Sequence, residues 1–326
     1  MVKRFMQLLA ACTLALSVTV PCQAEEWNPK KLEIIIPHDV GSTSDATTRL
    51  VGKYWTKYMP GVQLVYINKG QAGGRLGYDQ FARAKRDGSV IMSCNIQTAA
   101  ILYAQQKPDW KWEEVVYPIN VYDMDPAIVQ VKADSPFKSL EDVLEAAKKK
   151  PLNAGLSRWA TTDTLVLYQL MDYTGAQFEV IPLGSGSKSR AGLLGGHVDL
   201  NVRRASDLKI SAGQIRALAI CLPTNPIPHV VGDIPTVTSV VNKPIVAAGS
   251  YRAFVAHPDL VKNYPDRFRI LQETLSKVKK DPEFMVEAKK LGFELMDDMT
   301  PQELIKMSED LFPVFEKYAD VYKKKQ

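Results

Sequence analysis

The residues best placed to do chemistry lie in the stretch Ile34 to Leu50, IIIPHDVGSTSDATTRL. An apolar β-branched run stops at Pro37, passes through His38, Gly41, Ser42, Thr43 and Ser44, and resumes with helical character. Ser42 and Asp45 have the Ser/Thr-x-x-acid spacing of a capping box, in which each side chain satisfies a backbone N–H of the first turn. Strand, glycine turn and capped helix start also make an anion site, because unpaired N–H groups and the positive end of the helix dipole converge there. Asp45 is expected to be a structural cap, since a carboxylate facing a bound anion repels it. The N–H groups of residues 41 to 44 are expected to hold the ligand.

Five other turns share this polar, small-residue character. They are NKGQAGGRLG with Ala72, Gly73 and Gly74; NIQT with Asn95, Gln97 and Thr98; SRWATTD with Ser157, Arg158, Trp159, Thr161 and Thr162; LGSGSKSR with Gly184 and Ser185; and NVRRAS with Arg203. Each follows an apolar β-like run. In open α/β sheets, ligands bind outside the carboxyl ends of the strands, where these turns lie. Arg158, Arg203 and Arg204 offer planar forks for an acidic group, with Lys188 beside them and Arg204 open to a solvent-facing role. Trp159 offers a ring for stacking, so a dianionic or aromatic acid is favoured over a neutral solute. A solvated basic rim is the competing reading of these cations.

Several familiar chemistries are missing. GSGSKS, Gly184 to Ser189, fails the phosphate-loop pattern because Ser187 precedes Lys188 and Pro182 stands where the first glycine belongs. GGRLG, Gly73 to Gly77, does not reproduce the dinucleotide fingerprint. The four histidines, His38, His197, His229 and His257, show no metal-ligand spacing, and there is no Gly-x-Ser-x-Gly elbow. No cofactor, metal or catalytic residue is assigned, and a ligand-contacting or loop-surface role for His38 is favoured over general base.

The elements that must position these turns alternate. Lys31–Ile36, Val62–Ile67 and Ser89–Cys94 read as strands, separated by helical patterns over Ser44–Tyr58 and Arg75–Ala84, an order that predicts a parallel sheet with right-handed crossovers. A second set follows: a helix capped by Ser139 and Asp142, then PLNAGL, a helix near Thr162–Tyr173, FEVIPL, a short helix, VDLNV and IRALAI. Helical stretches from about Pro265 close the chain, the last opened by Thr300-Pro301-Gln302-Glu303. The outline is an α/β fold of two lobes: residues 25–125 with 223–326, and residues 126–222, with the chain leaving the first lobe near Pro126 and returning near Leu222.

Lys3 and Arg4 precede an apolar run from Met6 to Val20, then Pro21-Cys22-Gln23-Ala24, which describes a secretory signal over residues 1–24 with cleavage after Ala24 and a periplasmic destination. Lipid modification of Cys22 is the alternative, with Val-Pro before it a poor lipobox. The mature chain of about 300 residues is large enough for two domains, and its formal charge falls from +5 to +3 with Lys3 and Arg4 removed. That balance argues against nucleic acid as a partner. Cys94 and Cys221 remain, expected as two buried thiols, with a single bridge as the alternative.

With these turns in hand, the chain resembles the substrate-binding proteins of the tripartite tricarboxylate transporter type, also called the Bug family. Pro37, Gly41-Ser42, Asp45 and Arg49 stand where that family has Pro, Gly-Gly, Asp and Arg. Asn68, Gln71-Ala72-Gly73-Gly74 and Gly77 match its second turn, and Asp87-Gly88 its third-strand approach. LLGGHVDL, IRALAI and DIPT match later signatures in order. The resemblance covers nearly the whole mature chain. It implies a type II Venus-flytrap fold that closes on a small organic carboxylate (a di- or tricarboxylate or an aromatic acid), acts as a monomer and delivers its ligand to membrane permease subunits. A partner role for a sensor kinase and a periplasmic enzyme are the rivals. The departures fall at the site: Ser42 and Gln71 replace glycines, Pro182-Leu183-Gly184-Ser185 replaces Pro-Tyr-Lys-Gly, Arg158-Trp159 stands where Gly-Ser or Gly-Thr is usual, and Arg203-Arg204 occupies an uncharged position.

Overall fold

The computed structural model describes residues 27–159, 161–290 and 299–323. The signal segment 1–24 and Cys22 lie outside the described residues.

Nine strands are named here: β1 (Lys31–Ile36), β2 (Gln63–Asn68), β3 (Val90–Asn95), β4 (Tyr117–Lys132), β5 (Leu152–Leu156), β6 (Phe178–Pro182), β7 (Leu200–Arg204), β8 (Ile215–Ile220) and β9 (Gly249–Ala256). They follow the order β2-β1-β3-β9-β4-β7-β5-β6, with β8 also on β4. β1 pairs in parallel with both β2 and β3, and β5 in parallel with both β6 and β7. Strands covered on both faces read as continuous apolar runs, which is why Ile34, Ile35 and Ile36 are all buried. The three expected first-lobe strands are present within a residue, and both later capping boxes form, Ser139 with Asp142 and Thr300 with Glu303. The fold is a mixed α/β architecture of two lobes flanked by helices; the expected mostly parallel sheets hold only for β1 with β2 and β3 and for β5 with β6 and β7, because every pairing made by β4 or β9 is antiparallel.

What joins the lobes are β4 and β9, two strands that the sequence pattern does not announce. β4 is 16 residues long and changes partners midway: Asp125 and Pro126 pair with β9, whereas Ala127 and Ile128 pair with β7 and β8. Pro118, Asp123, Asp125 and Pro126 look like breakers in sequence. The proline at the exchange has no N–H to donate, which suits the point where one ladder ends and the next begins. Gly249 lies opposite it; a Cβ there would sit 2.9 Å from Tyr251 Cε2, 3.2 Å from the Asp125 carbonyl oxygen and 3.3 Å from Pro126 Cα, so a side chain at this point of the strand pair would have to displace its neighbours.

Among the described residues three large apolar cores, and a small one of Leu193, Val198 and Ile215, support this frame. One face of β1 packs Leu32, Ile34 and Ile36 against Trp55, Tyr122, Phe254 and Leu271, and the other packs Ile35 with Met92, Cys94, Trp112 and Leu304. A further core gathers Val129, Leu156, Leu170, Val202 and Cys221 with Val237 and Ala248. Cys94 and Cys221 are therefore free thiols in different cores, and burial pushes both up, Cys94 to about 12. Helix Pro265–Lys280 lies on helix Thr43–Trp55, tied by a 2.8 Å bond from Trp55 Nε1 to Thr274 Oγ1. Helix Leu311–Lys323 packs on helix Ile96–Gln106 and also reaches helix Thr162–Thr174, where Tyr318 donates to Asp172 and stacks near Tyr168. The tail thus touches both lobes, a bridge that periodicity alone does not reveal.

Candidate functional site

The turns after β1, β3, β5, β6 and β7, with part of the turn after β2, converge on one cleft of about 620 Å³. On the first-lobe wall, Ser42 is the N-cap of helix Thr43–Trp55 and its Oγ accepts from Asp45 N at 3.2 Å. Asp45 answers not on Ser42 but on Gly41, whose N–H donates to Asp45 Oδ2 at 2.9 Å. Arg49 Nε at 2.8 Å and Asn68 Nδ2 at 3.0 Å fill Oδ1. Burial raises the Asp45 carboxyl, but the bonds from Gly41, Asn68 and Arg49 outweigh it and hold the group below the usual carboxylate range. Asp45 is a structural cap.

This arrangement narrows the expected amide cradle. The Gly41 N–H goes to Asp45 and the Ser42 N–H to Asp39 O at 3.2 Å, so neither can serve a ligand. Among the described residues nothing accepts from the N–H groups of Thr43 and Ser44, and both residues line the cleft. Gly41 itself does not line it. Its φ of +77° with open space around a would-be Cβ explains the glycine by backbone conformation.

The glycines of the second turn serve close approach. A Cβ on Gly70 would meet Asp39 N at 2.6 Å, and one on Gly74 would meet Pro37 O at 2.6 Å, so the first and second turns are pressed together. Gly73 lines the cleft; Gly74 is buried behind it and Ala72 is exposed away from it. From the third turn, Asn95 and Thr98 line the cleft while Asn95 caps its helix and donates to Ser250 Oγ at 2.9 Å. Gln97 is turned elsewhere: its Nε2 donates to Ala247 O at 2.6 Å and its Oε1 accepts from Gly249 N at 3.1 Å, tying the helix to the lobe crossing.

The second-lobe wall is built from charge. Ser157, Arg158 and Thr161 line the cleft after β5, Gly184 and Ser185 after β6, and Arg203 on β7. Trp159 is half buried against two apolar cores and lies outside the lining, so it is a packing residue in place of the expected stacking platform. Thr162 is buried in the first turn of its helix. Ser185 caps helix Gly186–Leu194, which has no acid in its first turn. The Arg203 guanidinium lies against Gly186, where a Cβ would sit 2.5 Å from Nη2. Arg203 and Arg190 share Asp207, at 3.3 and 2.9 Å. Arg204, open to a solvent-facing reading in sequence, is enclosed and pairs with the fully buried Asp163 at 2.8 Å; burial opposes its charge, but Asp163 and Asp125 outweigh that.

The floor comes from the lobe crossing and was missed in sequence. Arg252 on β9 pairs with Asp123 on β4. Asp125 accepts from Ser206 N and Oγ at 3.1 and 2.6 Å, yet burial leaves its carboxyl above the ordinary value. A signal exists: Asp123 and Asp125 are two apart in a strand, so they share a face, and charge repeating at period two inside an apolar run marks a polar cleft. His38 faces this region as a neutral ring, lowered to about 4 by burial, with Arg158 and Arg252 adding to the effect and Asp39 opposing it; Nε2 has no partner among the described residues. Five arginines against four aspartates in the lining make a polar, slightly cationic cleft suited to an anion. No group of three or more His, Cys, Asp or Glu among the described residues is placed to hold a metal ion.

Residues 56–314 match the family described as the tripartite tricarboxylate transporter family receptor. The UPF0065 protein in the gbd 5' region of Cupriavidus necator is 29% identical over 196 residues, which is 58% of this chain and 59% of that protein. The chain therefore matches less than two thirds of that relative. A TctC solute-binding protein from Polaromonas superposes with a TM-score of 0.74 at 21% identity, covering 88% of this chain and 98% of that one. R. palustris Rpa4515, solved with adipate, gives a TM-score of 0.68 at 20% identity over 90% and 98%. The match to more than half of the residues, together with the fold, places this chain in the tripartite tricarboxylate transporter receptor family.

Proposed function

We propose that the protein is a periplasmic solute-binding protein, not an enzyme, that captures a small organic acid in this cleft and delivers it to membrane permease subunits. The observation that carries the reading is the pair of unused N–H groups, Thr43 and Ser44, opening a 13-residue helix inside a cleft whose opposite wall is rich in arginine. A carboxylate docked on those amides gains charge-assisted bonds and the favourable end of the helix dipole. A second acidic group reaches Arg158, whose side chain forms no ion pair or hydrogen bond with any described residue, or the Arg203 guanidinium beyond it. Closing the lobes removes water and strengthens both contacts. Adipate, held by the structural relative Rpa4515, is such a two-ended acid. The lobes divide where β4 exchanges partners at Pro126 and, in place of the return near Leu222 expected from sequence, where Ala248 gives way to Gly249, a division supported by the packing of Val237 and Ala248 in the core of Val129 and Leu170. Among the described residues no helix is long and apolar enough to cross a membrane.

A thermal-shift screen against mono-, di- and tricarboxylates and aromatic acids tests the reading. A ligand of the folded state present at a hundredfold over its Kd adds about 2.7 kcal/mol and raises Tm by several degrees. Absence of any shift across the acids, with a shift from a neutral sugar or a cation, contradicts it. Permease genes beside the coding sequence support delivery to a transporter; a histidine kinase gene there favours sensing.

A further inference from the structure

We infer that Asp39 makes this cleft selective for acids that also carry a protonated amine, so that the ligand is an amino-dicarboxylate or similar amino acid in place of a plain dicarboxylate. The inference rests on the organic-acid reading and narrows it. Four carboxylates line the cleft, and three have their charge met: Asp123 by Arg252, Asp125 by Ser206 with Arg203 and Arg204 close by, and Asp207 by Arg190 and Arg203. Asp39 is the fourth. It lies in the lining, is exposed, and makes no ion pair or side-chain hydrogen bond with any described residue.

Its place is fixed by the backbone. Asp39 O accepts from Ser42 N, and the carboxylate lies over Gly70, where a Cβ would come within 2.1 Å of Oδ1. That fixes an unneutralised negative charge in the same turn as the amides of Thr43 and Ser44. The Arg158 charge stands unpaired on the other wall, and both act on the His38 ring, Arg158 lowering and Asp39 raising its proton affinity, so they share one neighbourhood of the cleft. A ligand with only acidic groups brings like charge towards Asp39 and gains nothing from it. A ligand whose acidic groups sit on the amides and on Arg158, and whose ammonium lies near Asp39, satisfies every unpaired charge of the lining. Selectivity of this kind combines attraction for one ligand with repulsion of its near relative.

Matched pairs that differ only in the amine test it: succinate with aspartate, glutarate with glutamate, adipate with 2-aminoadipate, each titrated calorimetrically into the full mature chain and into Asp39→Asn. Asp39 is exposed and unpaired, so the variant is expected to fold, which its melting curve checks. The expected result is that in at least one pair the amino member binds tenfold or more tighter to the wild-type chain, and that Asp39→Asn removes this preference while the plain diacid binds as well or better. Binding of diacids without preference for the amino member overturns the inference and leaves the organic-acid reading standing. An equal loss for both members in Asp39→Asn also overturns it, and assigns Asp39 to lobe closure. Failure of all six acids to bind overturns the inference, and the organic-acid reading is then decided by the wider thermal-shift screen.

Discussion

On the wall carried by β1 to β3, the groups lining the cleft are backbone amides, short hydroxyl side chains, Asn95, the neutral His38 and a single carboxylate, Asp39. On the wall carried by β5 to β7 they are guanidinium groups, most of them held in place by a buried aspartate. The first wall places its donors by chain geometry: a capped helix start, three successive residues at positive φ from Ala72 to Gly74, and glycines that let two turns touch. The second places them by ion pairs among segments far apart in sequence, such as Arg204 with Asp163. A wall of amides binds any carboxylate that fits, whereas a wall of arginines distinguishes ligands by the position of a second charge. On the proposed reading the first wall supplies affinity for a carboxylate, and the remaining groups of the ligand are read by the arginines of the second wall and by Asp39 at the edge of the first.

The largest effect expected from breaking this contrast is on folding. Asp163 is fully buried beside Arg204, and Asp163→Ala leaves an uncompensated charge in the interior. Losing one partner of a buried pair costs about 3–5 kcal/mol, to be read from urea denaturation. Arg204→Met added to Asp163→Leu should recover much of that loss, because the pair gains little over an apolar replacement.

Acid should act first on the other side. His38 and His257 both have folded values of about 4, below the 6.5 of an unrestrained histidine, His38 through burial with Arg158 and His257 through burial with Arg86. The unfolded chain therefore binds more protons between pH 6.5 and 4. Stability is fully present above 6.5 and falls through that window, by on the order of 1–3 kcal/mol for each histidine. Both lie in the first lobe, so hydrogen exchange should rise there before it rises in helix Thr162–Thr174. A uniform rise in both lobes would show that the two do not open separately.

Binding separates the walls next. Arg158→Ala should leave stability unchanged, since the side chain is exposed and unpaired, and weaken a two-ended acid by about 1.5–3 kcal/mol, roughly 10- to 150-fold. The loss should shrink at high salt. Monocarboxylates should bind the variant as they bind the wild-type chain.

The gentlest probe is Thr43→Pro. Proline is tolerated at the first helical position, where its missing N–H has no partner in the helix, and Ser42 already has the extended conformation that precedes proline, with ψ at 160°. The helix should persist while one carboxylate donor is lost, costing about 1 kcal/mol, or roughly fivefold. Thr43→Ala controls for the side chain and should bind normally.

The two walls also differ in how legible they are. Glycine, proline and capping residues act locally, so Pro37, Ser42, Asp45 and the Gly73-Gly74 pair disclose a turn that can face an anion. Even there the detail that Asp45 consumes the Gly41 amide, leaving Thr43 and Ser44, depends on the position of Asn68 and Arg49 in space. The floor and the second wall rest on tertiary pairing. Asp123 and Asp125 read as strand breakers because their partners, Arg252 and Ser206, lie 129 and 81 residues away. Trp159 reads as a ligand platform because aromatic residues near polar turns serve either packing or binding, and only its two neighbouring cores decide for packing.

A crystal structure of the mature chain with the tightest acid from the thermal-shift screen tests the central claim most directly. The account predicts one carboxylate oxygen within hydrogen-bond distance of the Thr43 and Ser44 amides, and a second acidic group within reach of the Arg158 or Arg203 guanidinium. A ligand held outside this cleft, or one inside it whose carboxylates touch neither those amides nor those arginines, would contradict it.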